Sequence, residues 1–326
     1  MTPRSPLARY VLAVAAGWVL LGTAGVYYAR SRSIALPVAL PLIAAFLLEY
    51  AFYLVPGLER LRQWLVDRLP VVPYATLLMV SALAPYLVYS LPTGCFDRLA
   101  FARLFVLTGA LCFWYVFRRP SLTADLAVLV LLAAVLVAKV FTRIYLSPLP
   151  GLRIEVLGHL MLIRVAALVM LTVREVKVAG FGFLPTRAEW RTGLRWFLYF
   201  VPVGLPLALA LGVVRFEPTW KDARAAPLVF LGILWVVALS EEFFFRGLLQ
   251  QWLHDWTGKP RLALILASGL FGICHLGFRD FPNWRFALVV AAAGWFYGQS
   301  YCAGRGVRAA MVTHSLTVTA WQTLFR

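Results

Sequence analysis

The chain has 326 residues, 62% of them hydrophobic and 14% charged, with a formal net charge of +17. A soluble globular domain is about 45–50% apolar and about 25% charged, so the composition excludes one. The apolar excess comes in solid runs of roughly 20 residues, the length of a membrane-crossing helix, without the alternation of a transmembrane barrel. The arginines gather between those runs, where they suit anionic lipid headgroups and not nucleic acid.

The expectation is therefore an all-α, polytopic membrane protein with about 10–11 transmembrane helices, since lipid-exposed backbone must satisfy its own hydrogen bonds. In chain order the expected spans are 8–29, 34–55, 71–91, 99–117, 122–142, 157–173, 195–214, 226–252, 261–278, 285–303 and 306–325. The first has a basic start, lacks a small-residue cleavage site and is too long for a signal h-region, so it reads as a span. Its setting is a multi-pass position in the plasma membrane of a prokaryote or an equivalent endomembrane. Lys and Arg divide almost evenly between the two sides, and orientation stays open.

The longest polar interval, "REVKVAGFGFLPTRAEWRTGLR" at 174–195, reads as an interfacial amphipathic connection. It divides the chain into N-terminal helices of unassigned role (1–173), the connection (174–194) and a C-terminal functional core (195–326). Cys95, Cys112, Cys274 and Cys302 are scattered without metal-ligand spacing. "LVVAAAGWFYGQSYCAG" at 288–304 reads as a close-packing stripe.

The informative stretch is "LWVVALSEEFFFRGLLQQW", 234–252, which sets Glu241, Glu242 and Arg246 inside an apolar run. Each ionisable group at a membrane centre costs about 2.5–3.5 kcal/mol. Glu242 and Arg246 stand four apart on one helix face and can pair. Glu241 points about 100° away and has no partner in its own segment. Of the four histidines, His275 and His314 lie in later apolar runs, whereas His159 and His254 read as ordinary interfacial residues. At about 1.5 Å per residue, Glu241, His275 and His314 lie roughly 16, 20 and 12 Å from the same side, a layer of about 8 Å. Three chemistries fit such a layer. Glu241 activates water while a histidine supports the oxyanion. Alternatively, Glu241, His275 and His314 hold a divalent metal such as zinc, although no H-E-x-x-H is present. Or the groups relay protons in a transporter, for which the paired broken helices are missing.

"EEFFFR" (241–246), "FGICH" (271–275) and His314 in "GRGVRAAMVTHSL" together resemble the CPBP family of intramembrane proteases, also called the ABI or CAAX-protease family. The resemblance covers roughly 226–325. It implies an intramembrane endopeptidase that cleaves a membrane-associated or lipid-modified protein or peptide near its C-terminus. Glu241 is then the water-activating base, His275 its partner, His314 part of the oxyanion or water-binding side, and Glu242 and Arg246 the orienting pair. No cofactor is required, zinc being the alternative. The family's last motif commonly places Asn or Asp four residues after the histidine. Here that position is Val318, with Thr317, Ser315 and Thr313 as substitute donors. The departure also admits a non-catalytic, immunity-type binding protein on the same scaffold.

Overall fold

The computed structural model describes residues 5–178 and 180–325. Among them the regular structure is helical; Phe216 and Phe325 form an isolated antiparallel bridge outside any strand. The chain divides into two compact units, Met1–Val176 and Lys177–Arg326.

The first unit contains α1 (Pro6–Ser31), α2 (Leu36–Leu54), α3 (Glu59–Val66), α4 (Val71–Ser90), α5 (Arg98–Phe117), α6 (Leu122–Val137), α7 (Val140–Ile144) and α8 (Glu155–Leu168, continued by a π turn to Val173). Polar caps begin several of them: Asp97 accepts from the Ala100 amide at 2.6 Å, and Ser121 from the Ala124 amide at 3.2 Å. Pro41 and Pro85 lie inside α2 and α4, as neighbouring helices in a membrane permit. One charge cluster lies at the centre of this unit. Arg164 of α8 donates through Nε to Glu49 Oε1 at 2.6 Å and through Nη2 to Oε2 at 3.2 Å. The same guanidinium reaches the Ser81 hydroxyl at 2.8 Å and the Ser81 carbonyl at 2.7 Å. Glu49 and Arg164 are both fully buried, so the fork geometry of the arginine is what makes their burial tolerable.

The second unit contains α9 (Arg187–Ala210), α10 (220–257), α11 (Pro260–Ile273), α12 (Trp284–Gly304) and α13 (Val307–Leu324). The interval expected as a separate interfacial connection is shared out. Thr186 and Glu189 form a reciprocal capping box, so "RAEWRTGL" is already the start of α9. Gly258, in the left-handed region, ends α10, and Pro260 opens α11 two residues later.

Seven helices among the described residues are long and apolar enough to cross a membrane, and Leu122–Val137 and Pro260–Ile273 are apolar but shorter. Each expected span falls mainly on helix, although 122–142 is broken after Val137, and 195–214 and 261–278 run past helices that end at Ala210 and Ile273. The lower count arises because α6 and α11 stop early, while α12 and α13 carry polar residues such as Ser300, Thr313, His314 and Ser315 inside the unit. The site is assembled from those same two helices together with α9, α10 and α11.

Candidate active site

Glu241 and Glu242 lie on α10, the continuous helix whose Asp222–Thr257 portion has 36 residues. This helix is not uniform. A π segment at Ile233–Ala238 leads into one α turn, Leu239–Glu242, and a second π segment follows at Phe243–Gln250. Each π turn holds one extra residue, which rotates the downstream face by about 100°. The two glutamates thus stand on a short regular turn between two register shifts.

Their environments differ sharply. Glu242 has no exposed side-chain surface, whereas 29% of the Glu241 side chain is exposed. Glu242 Oε1 accepts from Arg246 Nη1 at 3.1 Å and from His314 Nδ1 at 2.8 Å. Arg246, itself buried, also donates through Nη2 to the Gly294 carbonyl of α12 at 2.9 Å. Its guanidinium carbon lies 4.6 Å from the Phe271 ring centroid and 5.4 Å from that of Tyr297. The arginine therefore ties α10 to α11 and α12 through a charge-assisted bond and two aromatic faces.

The hydrogen bonds assign the tautomers. A carboxylate only accepts, so His314 Nδ1 carries a proton and Nε2 is left facing Glu241, with Nε2 3.9 Å from Glu241 Oε2. That distance exceeds a direct hydrogen bond and suits a shared water. His275 obeys the same rule: its Nδ1 donates to the Phe271 carbonyl at 2.8 Å, leaving Nε2 uncommitted. The sequence places His275 inside a span at 261–278, but α11 ends at Ile273 and His275 lies in the turn beyond it. Its side chain caps a carbonyl that the end of the helix would otherwise leave without a partner. His159 and His254 stand apart from this group: His159 Nδ1 pairs with the Glu155 carbonyl in the first unit, and His254 is half exposed beside Asp255.

Glu241, His275 and His314 line one cavity of about 490 Å³. Most of its other lining is apolar, from Phe200, Leu205 and Ala208 of α9 to Val290 and Ala293 of α12 and Trp321 and Leu324 of α13. Glu242 and Arg246 are not on the wall; they lie behind His314. The three substitute donors separate cleanly. Thr313 is buried and bonded to Ser300 and to the Gly193 carbonyl, and Ser315 donates to the Met311 carbonyl. Thr317 and Val318 both line the cavity. Thr317 already donates to the Thr313 carbonyl at 2.9 Å.

Among the described residues, no group of three or more His, Cys, Asp or Glu side chains is placed to hold a metal ion. His314 and Glu241 approach each other, but His275 does not complete a ligand set with them. The stretch at 288–304, which reads as packing alone, supplies two participants: the Gly294 carbonyl on Arg246 and the Tyr297 ring, stacked on His314 at 4.6 Å with 14° between planes. A stack between helices leaves no mark in the spacing of either one.

Residues 223–320 match the family described as type II CAAX prenyl endopeptidase Rce1-like. No curated protein and no solved structure matches the chain. The match spans Glu241, Glu242, Arg246, His275 and His314, so it is this C-terminal segment, under a third of the chain, that is similar to the Rce1-like CAAX protease (CPBP) family.

Proposed function

We propose that the protein is an intramembrane endopeptidase that hydrolyses a peptide bond near the C-terminus of a membrane-associated or lipid-modified protein, with Glu241 as the base. The Rce1-like match supports the coarser part, an intramembrane protease of the CAAX type. The observation that carries the finer part is the convergence of Glu241, His275 and His314 on one largely apolar cavity, with the deeper Glu242 already committed to Arg246 and His314.

In this mechanism a water lies between Glu241 Oε2 and His314 Nε2. Glu241 takes one of its protons while the lone pair of Nε2 accepts the other, orienting an oxygen lone pair toward the scissile carbonyl. The oxygen bonds to the carbonyl carbon and the carbonyl electrons move to its oxygen. Collapse of that intermediate breaks the carbon–nitrogen bond, and the proton on Glu241 passes to the leaving nitrogen. His314, not His275, is therefore the partner of Glu241 in this scheme, because its Nε2 is the one that approaches the carboxylate. His275, with Nδ1 held by the Phe271 carbonyl, takes the oxyanion side and donates there through Nε2 when its ring is protonated. The apolar walls exclude bulk water, which strengthens each of these interactions. No metal enters the scheme.

Purified full-length protein in liposomes, given a prenylated CAAX peptide, is expected to release the tail tripeptide. Glu241→Gln and His275→Ala should each abolish release at unchanged expression, and EDTA should leave the rate of the unaltered protein intact. Cleavage that survives Glu241→Gln removes the assignment of the base; loss with EDTA that zinc restores moves the mechanism to a metal. Val318 on the cavity wall favours a second reading, a non-hydrolysing binder of the same lipidated tails. It is supported if the peptide binds, is never cut, and binds Glu241→Gln equally well.

A further inference from the structure

We infer that Tyr297 is a positioning residue for His314, an inference that rests on the hydrolytic reading above. Tyr297 belongs to α12 and is 2% exposed. Its ring lies against the His314 imidazole with centroids 4.6 Å apart and planes within 14° of parallel. The two residues come from different helices, α12 and α13, and both line the cavity. The tyrosine hydroxyl lies beside Thr317, one turn beyond His314.

The bond from His314 Nδ1 to Glu242 fixes one corner of the imidazole but leaves the ring free to swing about that contact. Swinging carries Nε2 off its line to Glu241. Contact with a flat aromatic face removes that freedom, so the 3.9 Å approach of Nε2 to Glu241 is set by two contacts at right angles in kind: a hydrogen bond in the plane of the ring and a stack across it. The stack also strengthens when the imidazole gains a proton, because the face of an aromatic ring attracts a cation. Arg246 lies 5.4 Å from the centroid of the same tyrosine ring, so Tyr297 ties together both partners of Glu242. A leucine fills much of the same space without offering a flat face or a quadrupole.

The test compares Tyr297→Phe with Tyr297→Leu in the full-length protein, using cleavage of a prenylated CAAX peptide. In Tyr297→Leu, kcat is expected to fall by on the order of 100-fold, the scale at which a misplaced catalytic group loses rate. KM should stay near the parent value; the melting temperature falls with the loss of a buried ring, so the rates are compared at a temperature where both variants are folded. Tyr297→Phe should recover most of the lost rate, since it restores the face without the hydroxyl. A merely structural tyrosine would instead leave kcat per folded molecule at the parent value, the rate falling only with the folded fraction. A second readout needs no turnover: the His314 ring-proton resonances, assigned by their loss in His314→Gln, should lose a ring-current shift in Tyr297→Leu and keep it in Tyr297→Phe. Parent-like kcat in Tyr297→Leu, or unchanged His314 resonances, overturns the inference. Glu241→Gln run alongside keeps the two claims apart: turnover retained there defeats the hydrolytic reading itself, while the resonances still decide the stack.

Discussion

Glu241 and Glu242 are chemically identical neighbours, and their surroundings separate them. Glu242 is sealed behind His314 and shares Oε1 between an arginine and an imidazole, while its Oε2 is buried without a hydrogen-bond partner. Glu241 keeps exposed surface on the cavity and has no direct hydrogen-bond distance to His314. A motif can name both residues, but only the environment says which one meets a water. Arg246 shows the same dependence on detail. It must reach Glu242 and the Gly294 carbonyl at once while lying over Phe271. A lysine is a point charge without the planar fork. Arg246→Lys is therefore expected to lose cleavage despite keeping its charge, and Arg246→Met to cost about 3–5 kcal/mol by stranding the buried carboxylate. Thermal unfolding in detergent, read beside peptide cleavage, separates the two outcomes: parent-like stability in Arg246→Met would mean that Glu242 does not need its arginine.

Two helices do what a regular helix would not. α10 carries π segments on both sides of the glutamates, so residue counting at 3.6 per turn still pairs Glu242 with Arg246 but drifts off the true faces farther along the helix. α11 has 14 residues, about 21 Å at 1.5 Å per residue, and stops short of the roughly 30 Å of a bilayer core. Its early end is what puts His275 in a turn at the cavity instead of on a helical wall. The position of that end depends on how closely α11 meets α12. A Cβ at Gly272 would come within 2.5 Å of the Ala287 carbonyl oxygen and 2.8 Å of Ala291 Cβ, whereas one at Gly269 meets nothing within 4 Å. Gly272→Ala is thus expected to push the helices apart, destabilising the protein by about 1–3 kcal/mol and lowering cleavage through a displaced His275. Gly269→Ala should be neutral, or stabilising by about 0.5–1 kcal/mol through reduced backbone freedom. Equal melting temperatures for the two variants would mean that the contact yields without cost.

At the scale of the whole molecule, each compact unit contains a buried arginine–glutamate pair, and the two pairs differ in setting. Glu242–Arg246 spans one turn of one helix and adjoins the cavity, while Glu49–Arg164 joins α2 to α8 across 115 residues and also engages Ser81 of α4. The second pair locks three helices of the first unit. Arg164→Ala is expected to cost about 3–5 kcal/mol, and Glu49→Gln combined with Arg164→Met to recover much of it, because the pair costs more when broken than when replaced. Melting curves and trypsin susceptibility of the first-unit connections report this directly; a harmless Arg164→Ala would show that the pair is dispensable. Much of this architecture is legible without coordinates. Hydropathy is a sum over neighbouring residues, so the sequence alone determines an all-α membrane chain and the approximate course of its helices. The residue types of "EEFFFR", "FGICH" and the His314 segment likewise single out the ionisable groups, since their cost in an apolar run is a local property. Other features depend on packing between distant segments: the 72-residue contact of Glu242 with His314, the face that Tyr297 offers, the turn that frees His275, and the division of Thr317 from Thr313 and Ser315. Those were decided by the tertiary structure alone, because the direction of a side chain across a helix interface is set by the neighbours it packs against and not by its own place in the chain.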